Sequence, residues 1–227
     1  LRPDQLLDET LTPEGARLSL RQEGAHLVIR LGNLSLMSSR VSGSEALLAE
    51  RGCLRAGPRA VVLVGGLGMG FTLRAALDHL GPEARVVVAE LLPALVGWNR
   101  GLLGPLAGHP LDDPRVALHE GDVVGCLRAA ARGPDSARYD RVLLDVDNGP
   151  QAFTADSNAW LYGAEGLRTT YAALRPGGLL VVWSAFPAPR FLDALTRAGF
   201  RASVEPVRAR GAVKKGSRHL LYLGERA

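Results

Sequence analysis

Cysteine, lysine and aromatic residues are all scarce in this chain of 227 residues: there are 2 Cys, 2 of the 27 basic residues are lysines, and aromatics make up 5%. Cys53 and Cys126 lie far apart and form neither a metal-ligand spacing nor a disulfide framework, so the expectation is two core residues, no metal and a reducing, cytoplasmic setting. Long apolar runs are missing too. No stretch approaches the roughly 18 residues needed to cross a bilayer, and Asp4, Asp8, Glu9, Pro13 and Glu14 interrupt the first twenty positions; a soluble chain without a membrane partner or secretion signal is expected. Nor is there a large excess of one charge. The 27 Lys+Arg against 23 Asp+Glu leave +4, which in an arginine-rich composition is weak evidence for nucleic acid.

What is present is an ordinary globular composition, 47% hydrophobic and 22% charged, in a length that suits one full-sized domain with a small appendage. From residue 60 onward, short apolar runs alternate with helix-length intervals: 60–64, 85–89, 116–118, 139–144 and 179–183. This is the pattern of βαβ units and a parallel sheet. Helices are expected over 72–80, 93–103, 164–174 and 190–198, bounded by Gly81-Pro82, Pro93 and Pro176-Gly177-Gly178. Two closing strands, 201–207 and 219–224, are joined only by a loop and should be antiparallel. Residues 1–57 differ. Short runs at 18–20, 26–30 and 34–37 suggest an antiparallel meander, followed by a helix whose Ser42-Gly43-Ser44-Glu45 reads as a capping box. The expected division is a meander-plus-helix unit over 1–57 and an α/β domain over 58–227.

The segment 61–77 carries the strongest chemical signal: an apolar strand, then Gly65, Gly66, Gly68 and Gly70, then a helix. Such a turn lets a ligand approach the backbone and meet free N–H groups at the helix start. Glu90 ends the second strand twenty residues past Gly70, where a carboxylate can accept both ribose hydroxyls. Gly70 is followed by Phe71-Thr72 instead of Lys-Ser/Thr, which disfavours a nucleoside triphosphate. Glu120-Gly121-Asp122 after the third strand offers an acid for the exocyclic amine of an adenine. The fourth strand ends in Asp145, followed by Val146, Asp147, Asn148, Gly149 and Pro150. An acid closing an apolar run at the ligand edge is costly unless it works, and Asp145 is the candidate to orient or deprotonate a nucleophile, with Asp147 holding a cation and Asn148 accepting from an amine. Trp160, Tyr162 and Trp183 can wall a pocket for a sulfonium or ammonium. The stretch 146–161 lacks a helical period and reads as a mobile lid. Arg208, Arg210, Lys214, Lys215 and Arg218 form the one concentrated basic run, taken as a solvated hairpin tip because no aromatics are interleaved to stack bases.

The series GGLGMGFTLR, VVVAE, DDPRVALHEGD, YDRVLLD and LRPGGLLVVWS resembles the spermidine synthase family, whose members share the class I S-adenosylmethionine-dependent methyltransferase fold. The resemblance spans nearly the whole chain. It implies an α/β Rossmann-like fold with a seven-stranded, mostly parallel sheet of order 3-2-1-4-5-7-6. It further implies that Glu90 binds ribose, Gly121-Asp122 the adenine, and Gly66, Gly68, Met69 and Gly70 the aminoalkyl tail of S-adenosylmethionine or its decarboxylated form. Subunit contacts through the meander, giving a homodimer or homotetramer, are implied as well. Three departures stand out. Met69 occupies the place of the acid that in the family holds the tail amine; the family's Tyr-His/Gln-Glu triplet reads Gly43-Ser44-Glu45; and the loop after Asp145 is one residue shorter. The retained nucleoside set beside the lost tail acid favours an S-adenosylmethionine-type transferase acting on a small amine, with methyl transfer ahead of aminopropyl transfer and a silent scaffold as a further alternative.

Overall fold

The computed structural model describes residues 4–12, 15–40, 42–146, 149–150, 156–208 and 218–227. The expected basic tip at 209–217 and loop residues Asp147 and Asn148 lie outside the described residues. The parallel core begins with β5 (Val61–Gly65), β6 (Arg85–Glu90), β7 (Val116–Glu120) and β8 (Tyr139–Leu144), continued by β9 (Leu174–Ser184) and closed by β10 (Phe200–Arg208) and β11 (Arg218–Arg226). Strand order is β10-β11-β9-β8-β5-β6-β7, with β11 antiparallel to both neighbours and the remaining pairs parallel. Counted from β5, this is the expected 3-2-1-4-5-7-6.

Both faces of the central strands are buried, and the period of two divides their side chains between two cores. Leu63, Val142, Leu144, Leu180 and Val182 face α4 (Val123–Arg132), α6 (Ala164–Ala173) and α7 (Pro189–Arg197). Val62, Val64, Leu143 and Val181 face the opposite way, onto α1 (Gly43–Cys53) and α2 (Phe71–His79). Cys53 is a buried free thiol in the second core, pushed up to about 12 by burial. The helix α1 precedes the expected boundary at residue 57, yet it contributes Leu48 and Ala49 to this large-sheet core.

The N-terminal meander has four strands: β1 (Gln5–Leu11), β2 (Arg17–Glu23), β3 (His26–Leu31) and β4 (Leu34–Ser38), paired in order and antiparallel. Its inner face, Leu18, Leu20 and Ile29, closes over Met69 and over Leu95 and Trp98 of α3 (Pro93–Arg100). The sheet is thereby seated against the glycine turn. Trp98 adds a hydrogen bond from Nε1 to Asp8 on β1, 2.7 Å long. Two local expectations need correction. Ser42 is the N-cap residue of α1 but makes no side-chain capping bond, and the Glu45 carboxylate is engaged by Ser44 Oγ and by N–H groups of the first turn at Ser44 and Glu45. The interval read as a featureless lid contains α5 (Asp156–Tyr162).

Candidate active site

Open α/β sheets bind ligands where the chain order reverses at the carboxyl ends of the strands. Here that point lies between β5 and β8, so the glycine turn and Asp145 are neighbours by topology. Gly66 has φ +87°, and a Cβ there would lie 2.4 Å from the Asp145 carbonyl oxygen. Only glycine fits both constraints. Gly68 has φ +52° and lies against Met37 of β4, whose Sδ would be 2.7 Å from an added Cβ. Gly70 completes the turn as the left-handed N-cap of α2.

Glu90 is 6% exposed. Its Oε2 accepts from Leu67 N–H and its Oε1 from Leu92 N–H, both at 2.9 Å, so the acid ties the glycine turn to the end of β6. Burial raises its pKa while the backbone N–H groups oppose the shift. The N–H groups of Gly68 and Leu91 act on the same carboxylate, so a ligand hydroxyl would compete with backbone donors for its lone pairs. Gly121 N–H donates to the Glu90 carbonyl at 2.8 Å, and Asp122 caps α4 by accepting from Val124 N–H at 2.9 Å. Three of the candidate nucleoside residues are therefore hydrogen-bonded along one edge. Met69 is different: its side chain is fully buried in the cluster under the meander, which makes it a packing residue at the very position of the missing tail acid.

On the other side of the crevice, Asp145 receives a 2.6 Å hydrogen bond from Thr72 Oγ1 on α2. Burial nevertheless pushes its carboxyl up to about 6. Glu45, from the first turn of α1, is pushed up to about 7 by burial and then by the charge of Asp145, against a hydrogen bond donated by Ser44 Oγ at 2.8 Å. The sequence named both acids as candidates; burial above all brings their ionisation near neutrality, with the charge of Asp145 adding to the shift of Glu45. It missed the residue behind them. His219, on β11, places Nδ1 3.1 Å from Ser44 Oγ and packs edge-on against Trp183 with ring centroids 4.7 Å apart. Nothing near position 219 in the sequence signals that contact.

The remaining aromatic candidates are engaged in packing. Tyr162 is 7% exposed, donates to the Val146 carbonyl at 3.3 Å and meets Phe191 edge to face. Trp160 carries the Arg128 guanidinium over its ring at 4.3 Å. Arg74 is paired with Asp78 at 2.6 Å one turn along its own helix. Ser39 accepts from Leu27 N–H at 3.0 Å. Among the described residues no group of His, Cys, Asp and Glu could hold a metal, and no helix is long and apolar enough to cross a membrane.

The architecture is that of the Rossmann-like class I methyltransferases. Human methyltransferase-like protein 13, solved with SAH, superposes with TM-score 0.57 at 19% identity over 80% of this chain and 79% of that one. Agreement with a spermidine synthase is more extensive. The enzyme from Thermotoga maritima gives a TM-score of 0.76 at 16% identity, covering 98% of this chain and 73% of that one. In sequence the chain is 34% identical over 131 residues to the polyamine aminopropyltransferase of Mycobacterium tuberculosis strain H37Rv, covering 58% of this chain and 24% of that one. It is also 30% identical over 130 residues to a spermidine synthase of Coffea arabica, covering 56% of this chain and 37% of that one. These matches span 24% and 37% of the relatives' lengths. No protein-family model matches the chain.

Proposed function

We propose that this chain transfers an aminopropyl group from decarboxylated S-adenosylmethionine to a small amine, with Asp145 and Glu45 receiving the cationic substrates. The observation that carries the reading is this acid pair beside the glycine turn, with carboxyls pushed up to about 6 and about 7. Two acids in a half-buried crevice favour ammonium groups and repel a carboxylate-bearing tail. This reverses the preference for methyl transfer drawn from the retained nucleoside set beside the lost tail acid, and the relatives named aminopropyltransferases support the same choice. Glu90 and Asp122 take the ribose and adenine ends of the donor, and Met69 contributes packing only.

The chemistry asks little of the protein. The acceptor gives a proton to a carboxylate, its nitrogen lone pair attacks the methylene beside the sulfonium, and the C–S electrons remain on sulfur as a neutral thioether. A base whose pKa lies near the working pH serves the first step, and alignment of nitrogen, carbon and sulfur serves the second. Incubation with each donor and a panel of diamines, followed by mass spectrometry, tests the proposal. Methylthioadenosine is expected. S-adenosylhomocysteine, or tighter calorimetric binding of S-adenosylmethionine than of the decarboxylated donor, would overturn it.

Assembly as a homodimer or homotetramer through the meander is part of the same proposal, supported by the exposed Leu6, Leu11 and Leu34 on its strands. Sedimentation should give a species heavier than the monomer at micromolar concentration.

A further inference from the structure

Ser44 is 1% exposed and lies between two groups that compete for its hydroxyl. Its Oγ donates to Glu45 Oε2 at 2.8 Å and lies 3.1 Å from His219 Nδ1. A hydroxyl has one hydrogen, so if it points to Glu45 the histidine must be the donor, from Nδ1. The ring is fixed for this role by Trp183, packed against it edge to face at 4.7 Å.

We propose that His219 is a positioning residue for Glu45: by donating from Nδ1 to Ser44 it commits the serine hydrogen to the carboxylate and aims that carboxylate at the crevice. The contact joins the last strand of the sheet to the first turn of α1, across 175 positions of sequence. It has a direct consequence for acid–base behaviour. Ser44 is a group that lowers the Glu45 pKa, so loosening the serine should raise that pKa and neutralise this cation-receiving carboxylate earlier as the pH falls.

Charged groups lie on the elements around this arrangement. Arg51 of α1 and Glu205 of β10 hold each other at 2.8 Å, Asp145 acts on Glu45, and Arg208 pairs across the strands with Arg218 beside the histidine. Burial is the cause of the lowered pKa of His219 itself. Protonation at Nε2 would preserve the Nδ1–H donor, so the contact survives acidification.

The inference rests on the role proposed above for Glu45, and two measurements separate their failures. The first needs no turnover. Long-range 1H–15N spectra of the 5 histidines, with His219 assigned from the His219→Phe protein, should show Nδ1 protonated and Nε2 bare at pH 8. The opposite tautomer would mean that Ser44 donates to the histidine, and would overturn the proposal. In the second, His219→Phe keeps a ring against Trp183 but has no donor, while His219→Asn restores an N–H near the Nδ1 position. The Phe variant and Ser44→Ala should lose about threefold to tenfold in kcat/KM for the amine near pH 6.5, corresponding to about 0.5–1 pKa unit, and match the unaltered enzyme near pH 9. His219→Asn should recover most of the loss. A loss equal at all pH values would overturn the proposal. Inactivity of the unaltered protein with every donor and amine would instead sink the transferase reading, leaving the tautomer to decide this one.

Discussion

The two sides of the ligand crevice use their acids differently. On the β6–β7 side, Glu90 and Asp122 each accept from backbone N–H groups and fix the ends of the turns they occupy. On the β8–α1 side, Asp145 and Glu45 sit close enough to repel each other, with hydroxyl donors from Thr72 and Ser44. The first pair is part of the scaffold even without a ligand. The second pair is held in a state that a cation would relieve, which is how a structure distinguishes an acid that shapes a site from one able to accept a proton there.

The most forceful way to break the contrast is Asp145→Asn. It removes the proposed proton acceptor and should lower kcat about 10²–10⁴-fold, or about 3–5 kcal/mol in the barrier, measured with saturating donor and amine. Folding should respond in the opposite sense. Both acids have folded-state pKa values above their ordinary ones, so the stability linked to them is fully present below about pH 4 and is lost as the pH rises through about 6 and about 7. Urea denaturation should therefore show the unaltered protein to be less stable at pH 8 than at pH 5. Asp145→Asn should flatten that dependence; an unchanged slope would show that burial of the Asp145 carboxyl does not carry it.

Glu90→Gln tests the scaffold side. An amide has one acceptor oxygen, so one of the two backbone N–H groups, on Leu67 or Leu92, would face an NH2. A stability loss of about 1–3 kcal/mol is expected at neutral pH, together with weaker donor binding by calorimetry. Unlike Asp145→Asn, this variant should be less stable than the unaltered protein at both pH 5 and pH 8.

The same division explains what was legible in the sequence. Glu90 and the glycines are readable because their roles are local: a strand end, a tight turn and a helix start within thirty residues. The parallel core is readable because strands buried on both faces appear as continuous apolar runs. β1 escaped because Gln5–Leu11 is largely exposed and mixes Asp8, Glu9 and Thr10 with its leucines. Ser42-Gly43-Ser44-Glu45 has the form of a capping box, but Ser42 makes no capping bond and the buried carboxylate feels the charge of Asp145 at the end of β8, which no four-residue pattern contains. His219 is the extreme case, since its meaning comes entirely from a serine on another element.

Asp122 gives the smallest expected effect and the finest separation of scaffold from ligand contact. Its Oδ1 caps α4 by accepting from Val124 N–H, so Asp122→Ala should cost about 1 kcal/mol in urea denaturation. Asp122→Asn keeps an oxygen able to make that cap and should be nearly neutral for folding. With this oxygen bound to Val124, however, the asparagine presents an NH2 where the aspartate has its second oxygen, and an adenine amine would then meet a donor instead of an acceptor. Donor affinity in Asp122→Asn should fall about threefold to tenfold while stability is kept. Equal donor binding by the asparagine variant and the unaltered protein would assign Asp122 wholly to the helix, and would leave Glu90 as the acid of that edge that meets the nucleoside.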